Sequence, residues 1–379
     1  MKNKLIYITN TRLPSEKANT YQSMQMCNSF SKVYEDMEMW VPNGINTKEM
    51  KPYEDDPYGF YGIEKTFEIK KLLTIDYWWI HNLNQRVWSA LGAITFATSV
   101  LFKLKNYDKG CTVFTRDWYV LKVLLLGKQL GIIKNKVFYE AHKFSKHLAP
   151  NFKKIDGLIV INNYLKELHK KENIRNIIVA HDGVNFDEYS GIGEYKYSQK
   201  DVYTLVYTGN LFAWKGVYVL IDCLKFIDKK VELIIVGGSN EVFGNFKHYI
   251  EVTGLTNVEL TGYIPKKDTI KYVQKADILL LPNSAKNKMS FYTSPIKLFE
   301  YMAAKRPIIA SDLPSLCEVL EDKKNAILFQ PDNPKDLAEK INFTLVNDCT
   351  SIVNQAFEDV QEYTWDKRAE NIKFFMEAK

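Results

Sequence analysis

The sequence predicts an α/β protein of two doubly wound, Rossmann-like domains facing a cleft. Three observations carry that expectation. Short apolar runs alternate with helix-length segments along the whole 379 residues, the pattern of parallel sheets. A polar stretch at 186–200, bearing Ser190, Gly191 and Gly193, interrupts the alternation midway and reads as a linker. The length itself suits two or three domains.

Taken in order, the first series of strands is Leu5–Thr9, Met37–Pro42, Thr112–Thr115, Val137–Glu140, Gly157–Ile161 and Ile177–Ala180. Each is a short apolar run of the kind buried on both faces of a parallel sheet. The second series is Val202–Tyr207, Val231–Val236, Val258–Leu260, Ile278–Leu281, Pro307–Ala310 and Ala326–Phe329. The expected domains are 1–185 and 200–360. A last amphipathic helix at 363–379 follows a break at Tyr363-Thr-Trp365.

Composition narrows the class. Hydrophobic residues make up 46% and charged residues 25%, as in ordinary globular proteins. Five widely spaced cysteines, none in a Cys-x-x-Cys pair, argue for a reducing compartment and against a structural zinc site. The opening Met-Lys-Asn-Lys-Leu-Ile-Tyr-Ile has too short an apolar part for a signal peptide and reads as a first strand. A cytoplasmic location is therefore expected, with peripheral contact at the inner face of the membrane. Residues 1–185 hold 27 Lys/Arg against 18 Asp/Glu, while 186–379 hold 24 against 27. The basic half is either a solvated face or a surface attracted to an anionic leaflet or acceptor. Nucleic acid is not expected, because the aromatics do not interleave with the basic residues.

The segment richest in chemistry lies between Ile278 and Ala310. A strand, a loop, a helix opened by Ser294-Pro295 and a second strand make a βαβ unit. Its loop and helix N-terminus fall beyond the carboxyl ends of the strands, where α/β sheets bind ligands. Pro295 suits the first helical position because it has no N–H to leave unpaired. Lys297 and Glu300 share one helical face. A cation there suits a diphosphate, and a carboxylate one turn on suits the hydroxyls of a ribose. A second motif follows the strand ending at Tyr207: Thr208-Gly209-Asn210, then Lys215-Gly216 before a helical run. The glycine admits close backbone approach, and the lysine can neutralise phosphate.

These two motifs together resemble the nucleotide-sugar site of family 4 glycosyltransferases, which have the GT-B fold. Those enzymes usually carry a Glu-x7-Glu pair. Glu300 matches the second Glu, and Tyr292 stands in place of the first. A subset of the family also reads Ser-Pro-x-Lys before the Glu. Family members place Arg directly after the first glycine; here that residue is Asn210, and Lys297 is the candidate to replace its charge. The resemblance implies donor contacts from Gly209, Asn210, Lys215, Tyr263, Tyr292, Thr293, Ser294, Lys297 and Glu300. Of these, Lys215, Lys297 and Glu300, with His142, carry the catalytic roles. For Tyr263, in Thr261-Gly-Tyr263-Ile-Pro265, a simple strand-to-helix turn is an equal reading. Gly237-Gly238 reads as a turn.

The first half should hold the acceptor. The loop Asn10 to Gln22 resembles the opening of a bacterial surface-polysaccharide subset of the family; most members carry a Gly-Gly loop here that touches the donor diphosphate, and this chain lacks the glycines and offers Ala18 and Asn19 instead. Thr115-Arg116-Asp117 and Glu140-Ala141-His142 close two strands. His142 matches a family histidine that contacts the transferred sugar; an ordinary structural histidine is the competing reading. For Arg116 the competitor is a salt bridge to Asp117 or a neighbour. No Asp-x-Asp, Gly-x-Ser-x-Gly, His-x-x-x-His or P-loop occurs, so metal-dependent transferase, hydrolase, metalloenzyme and NTPase readings lack their residues. No cofactor or metal is expected. The resemblance implies a retaining transferase moving a sugar from a nucleotide-sugar donor to a glycan or lipid-linked acceptor. A sugar-nucleotide epimerase and an inactive sugar-nucleotide-binding subunit stay open beside it.

One stretch stands apart. Asp76-Tyr-Trp78-Trp79-Ile80 precedes an uncharged run from Val87 to Phe102, shorter than the roughly 20 residues that span a bilayer. It is either a buried core helix or a helix lying in a membrane interface with the tryptophans at headgroup depth.

Overall fold

The computed structural model describes residues 3–75, 85–107, 110–238 and 240–378. The chain divides into two compact units. The first holds 1–161, 165–180 and 365–379; the second holds 162–164 and 181–364.

The first unit is built on seven strands: β1 (Lys4–Ile8), β2 (Asp36–Pro42), β3 (Glu68–Leu72), β4 (Thr112–Thr115), β5 (Val137–Ala141), β6 (Gly157–Val160) and β7 (Ile177–Val179). They lie in the order β3-β2-β1-β4-β5-β6-β7, all parallel. Five of the seven are almost wholly buried, which is why they read as unbroken apolar runs. The exceptions are β7, half-buried, and β3, which the sequence reading did not include. Its sequence Glu68-Ile-Lys-Lys-Leu72 is charged because it forms the sheet edge, where lysines deter further pairing.

The helix Trp365–Glu377 belongs to this first unit and lies against the helix Ala18–Val33. Asp366 accepts a hydrogen bond from the Ser29 hydroxyl at 2.7 Å and pairs with Lys32 at 2.9 Å. Its buried face, Trp365, Ala369, Ile372 and Met376, supplies most of the hold, since the exposed Lys32 pair contributes little.

The second unit has six strands, β8 (Tyr203–Thr208), β9 (Val231–Val236), β10 (Val258–Gly262), β11 (Ile278–Leu281), β12 (Ile308–Ser311) and β13 (Ile327–Phe329). They are parallel in the order β10-β9-β8-β11-β12-β13. The 186–200 segment is not a free linker. Tyr189 and Ile192 are buried in the core of this unit, so the chain passes into it at 180/181 rather than near 200. The last strand before the C-terminal domain's own series thus ends at Val179, and the C-terminal helix begins at Trp365 rather than 363.

In each sheet the connections reverse direction once, between β1 and β4 and between β8 and β11. A doubly wound sheet opens a crevice at the carboxyl ends of those strands. Both candidate clusters identified in the sequence sit at these two positions.

Among the described residues no helix is long and apolar enough to cross a membrane. The helix Gln85–Lys105 contains the uncharged run, and its two faces answer to the two alternatives. Ala93, Phe96, Ala97, Val100 and Leu104 are buried in the core, whereas Val87, Leu91, Ile94 and Phe102 are exposed. Trp78 and Trp79 lie outside the described residues.

Candidate functional site

In the second unit, β8 ends at Thr208, and Gly209 turns the chain with φ +132°. The Gly209 N–H donates to the Val236 carbonyl at 2.8 Å, tying the turn to β9. A side chain at this position would have its Cβ 2.6 Å from the Lys297 ammonium. Glycine suits the positive backbone angle, and the space above it is taken by the end of the Lys297 side chain.

Asn210 does not present a cation. Its side-chain oxygen accepts the Leu211 N–H at 2.7 Å, and its carbonyl accepts the Tyr207 hydroxyl at 2.8 Å. The chain then makes a single 3-10 turn, Ala213–Lys215, and Gly216 in the left-handed region (φ +72°) starts the helix Val217–Cys223. The turn is fastened to the loop after β11, where Ser284 N and the Ser290 hydroxyl both donate to the Trp214 carbonyl, at 3.0 and 3.2 Å. Lys215 lies half-buried with its ammonium 3.9 Å from the Trp214 ring centre. Burial lowers its pKa to about 8.

Lys297 enters from the helix Ile296–Ala303. Pro295 is extended and immediately precedes that helix rather than occupying its first turn. The Lys297 ammonium is buried, has no hydrogen-bond partner and stands 3.8 Å over the Tyr207 ring. Burial and the nearby positive charge of Lys215 hold its pKa well below the usual lysine range, and Glu300 opposes them only in part. Glu300, 5% exposed, forms an ion pair with Lys266. Tyr301 completes the corner: its hydroxyl accepts the Thr208 N–H at 2.8 Å, locking the helix to the end of β8.

The structure thus brings Gly209, Lys215, Lys297 and Glu300 together. Other residues from the sequence reading also make contacts within the scaffold. The Ser294 hydroxyl accepts the Asp182 N–H at 3.0 Å, and the Thr293 and Phe291 carbonyls accept from Asn162 at 3.1 and 3.0 Å. Tyr292 packs on Tyr164 with ring centres 5.9 Å apart. Tyr263 is half exposed on the loop between β10 and the helix that starts at Lys266.

Lys266 was missed in the sequence. A signal existed, because a lysine at the first position of a helix sits against the positive end of the dipole and needs a nearby anion to justify it.

In the first unit a chain of polar contacts runs along the ends of β4 and β5. Arg116 donates to the Gln22 side-chain carbonyl and to the Asn19 carbonyl at 3.4 Å. Asp117 instead caps the helix Trp118–Gln129 through the Val120 N–H at 2.9 Å. Gln22 donates to Glu140 at 3.4 Å, and Glu140 faces His142 Nε2 at 2.5 Å. Asn19, Arg116 and His142 therefore belong to one cluster. Beside it a groove of about 510 Å³ is lined by Asn10, Ser89, Ala90, Ala93 and Asp117–Tyr119.

Residues 202–347 match the family model described as glycosyl transferases group 1. The match makes 202–347 a group 1 glycosyl transferase domain. It is similar to an uncharacterized glycosyltransferase of Methanocaldococcus jannaschii, 26% identical over 246 residues, 64% of each chain. It is also similar to a phosphatidyl-myo-inositol mannosyltransferase of Mycobacterium leprae, 25% identical over 236 residues, 60% of this chain and 61% of that one. The chain spans under two thirds of the length of these curated relatives. Among solved structures, Anabaena HepE in complex with UDP and glucose superposes with TM-score 0.72 at 14% identity, each chain covered in full. The lipopolysaccharide outer core galactosyltransferase WaaB does so with TM-score 0.71 at 15% identity, 99% of each chain covered. The likeness identifies the group 1 fold as GT-B, with two Rossmann-like domains.

Proposed function

We propose that this group 1 glycosyl transferase moves a hexose-type sugar, with retention of configuration, from a nucleotide-sugar donor to a glycan or lipid-linked acceptor. The setting we assign is the synthesis of surface polysaccharide or a related glycoconjugate. The observation that carries the reading is the Lys297 ammonium, buried and without a hydrogen-bond partner beside Lys215 at the β8/β11 crevice. A buried cationic group without an anion is costly, and the diphosphate of a donor would supply one. Lys215 and Lys297 then stabilise the leaving diphosphate. Such preorganised charge is typically worth 10²–10³ in rate per group.

Glu300 takes the ribose hydroxyls in this reading, exchanging part of its pairing with Lys266 for them. Anabaena HepE, solved with UDP, supports a nucleoside diphosphate as the donor's leaving group. His142 and Arg116 serve the sugar and the acceptor.

The test pairs binding with turnover. UDP-, GDP- and ADP-sugars are screened by thermal shift, since a bound donor stabilises the folded chain by mass action. The stabilising donor is then assayed with native lipid extract. Transfer that drops on the order of 100-fold in Lys215→Ala supports the reading. Unchanged turnover in that variant removes it. A donor altered without acceptor would indicate an epimerase, and tight binding without transfer would indicate a binding subunit.

The acceptor half of the proposal includes peripheral membrane contact. Its support is the exposed row Val87, Leu91, Ile94 and Phe102, with Leu73 and Ile75 exposed beside it, on a unit whose sequence is basic. Charge attraction fades with salt, because the screening length shrinks to roughly 8 Å at physiological ionic strength. Apolar insertion does not fade in this way. Cosedimentation with anionic liposomes is therefore expected to be strong at low salt and partly retained at high salt. No binding at low salt would return that row to an ordinary surface.

A further inference from the structure

The C-terminal helix Trp365–Glu377 carries Arg368, whose side chain is 2% exposed. Its guanidinium meets the Glu140 carboxylate at 2.9 Å, and that carboxylate is itself fully buried. Glu140 lies inside β5, in the apolar strand Val-Phe-Tyr-Glu-Ala, so it needs compensation for its charge. One oxygen faces Arg368; the other receives His142 Nε2 at 2.5 Å and Gln22 at 3.4 Å. Burial works against the charge of Glu140, but Arg368 and His142 outweigh it and keep the group ionised. His142 is only a quarter exposed; burial and the charge of Arg116 lower its pKa to about 4, against the opposing pull of Glu140. The charged and titratable groups acting on this pair thus come from three elements: Arg116 after β4, Glu140 on β5 itself and Arg368 on the C-terminal helix. Tyr7 on β1 also feels Glu140.

We propose that Arg368 is a positioning residue: through Glu140 it holds His142 as a neutral imidazole protonated on Nε2, leaving Nδ1 as a hydrogen-bond acceptor for a substrate hydroxyl. The chemistry follows from the donor inventory. A carboxylate can only accept, so the imidazole nitrogen facing it must carry the proton. A neutral ring with its proton on Nε2 has one acceptor left, on Nδ1. A sugar or acceptor hydroxyl can donate to that nitrogen. An imidazolium in the same place could not accept it. Two arginines, one on each side, thus keep a histidine next to an ionised carboxylate from taking up a second proton.

The role of the substrate hydroxyl rests on the transferase reading; the protonation state of His142 does not, and the experiment separates them. The full chain is labelled with ¹⁵N-histidine, and His142 is assigned by its loss in His142→Asn. Long-range ¹H–¹⁵N spectra then report tautomer and charge from pH 4.5 to 8. Wild type is expected to show the Nε2–H neutral form across the range. In Arg368→Met the buried Glu140 loses its main cation. His142 should then protonate, its titration moving up by about one pH unit or more. Arg368→Lys should restore the wild-type signature. Transfer by Arg368→Met should fall roughly 10- to 100-fold at neutral pH, the size of losing one strong hydrogen bond to the substrate, with its acid limb moved upward. A folded Arg368→Met chain in which His142 keeps the Nε2–H form over the whole range overturns the proposal, even if it is less stable. If Arg368→Met does not fold, Arg368→Gln, which keeps a hydrogen-bond donor toward Glu140 without the charge, carries the same prediction, and a His142 titration unchanged from wild type overturns it. Absence of transfer in every chain, with the His142 changes present, would count against the transferase reading alone.

Discussion

Replacing Lys297 by Met is expected to raise the stability of the chain while removing most of its transfer activity. The Lys297 ammonium is buried with no hydrogen-bond partner, so its desolvation cost is offset only in part, by the Tyr207 ring beneath it and the charge of Glu300. Methionine keeps the aliphatic stem between Tyr207 and Gly209 and removes the amine. Stabilising replacements of this kind at functional sites commonly yield about 0.5–2 kcal/mol. The same change deletes one of the two cations assigned to the diphosphate, for which a loss on the order of 10²–10³ in rate is expected.

The pH dependence has a definite sign. A lysine whose pKa is lowered on folding binds fewer protons in the folded chain than in the unfolded one between the two values. Wild-type stability therefore rises with pH through that window, as far as the ordinary lysine value near 10.5. The cost of Lys297 is full below its lowered value and fades on the way up. Calorimetry of wild type and Lys297→Met should show a wider gap at neutral pH than near pH 9.5. A variant less stable than wild type at pH 7, or one with undiminished turnover, would refute the assignment of Lys297 as an anion ligand held at a cost to stability.

The second large effect concerns the backbone beneath Lys215. A Cβ on Gly216 would lie 1.6 Å from the Pro282 carbonyl oxygen, and φ there is +72°. Neither neighbour can retreat cheaply, because both are main chain of loops hydrogen-bonded to each other. Gly216→Ala is expected to cost about 3 kcal/mol or more, from the left-handed backbone and the overpacking together. For a unit of this size that is roughly a 6–12 °C fall in midpoint. Donor binding should be lost with it, since Lys215 is the adjacent residue. Gly254 is the control: its φ of +69° is similar, but a Cβ there would meet nothing within 4 Å. Gly254→Ala should cost only about 1 kcal/mol. Equal losses in the two variants would show that the contact with Pro282 has no weight.

Much of this fold was legible because parallel strands buried on both faces must be apolar. Among the described residues, twelve of the thirteen strands show as mainly apolar runs, β7 and β10 although only half-buried. The exception, β3, is paired along one side only, and Glu68, Lys70 and Lys71 hide it among surface segments. The candidate cluster of the second unit was legible where spacing fixes geometry, as for Lys297 and Glu300 on one helical face. It was opaque where the partner is distant in sequence. Nothing local to Lys266 shows that it meets Glu300, 34 residues on. Arg368 stands 228 residues from Glu140, and in sequence it is one more charge on an amphipathic helix. Ser294 has a partner that is just as hidden: its hydroxyl, beside the N-terminus of the helix Ile296–Ala303, accepts the backbone N–H of Asp182.

The helix Trp365–Glu377 has a consequence for biosynthesis. A ribosome releases the chain in order, so all of 181–364 emerges before the residues that complete the first unit. The unit begun first is therefore finished last. Until Arg368 arrives, Glu140 carries its charge without its principal counterion, and the apolar flank of the helix Ala18–Val33 waits for Ala369, Ile372 and Met376. During that interval the nascent first unit presents uncovered core to the cell, the state in which chains aggregate or engage chaperones. A premature stop codon after residue 364 would leave it in that state permanently, with Gly209, Lys215, Lys297 and Glu300 already made.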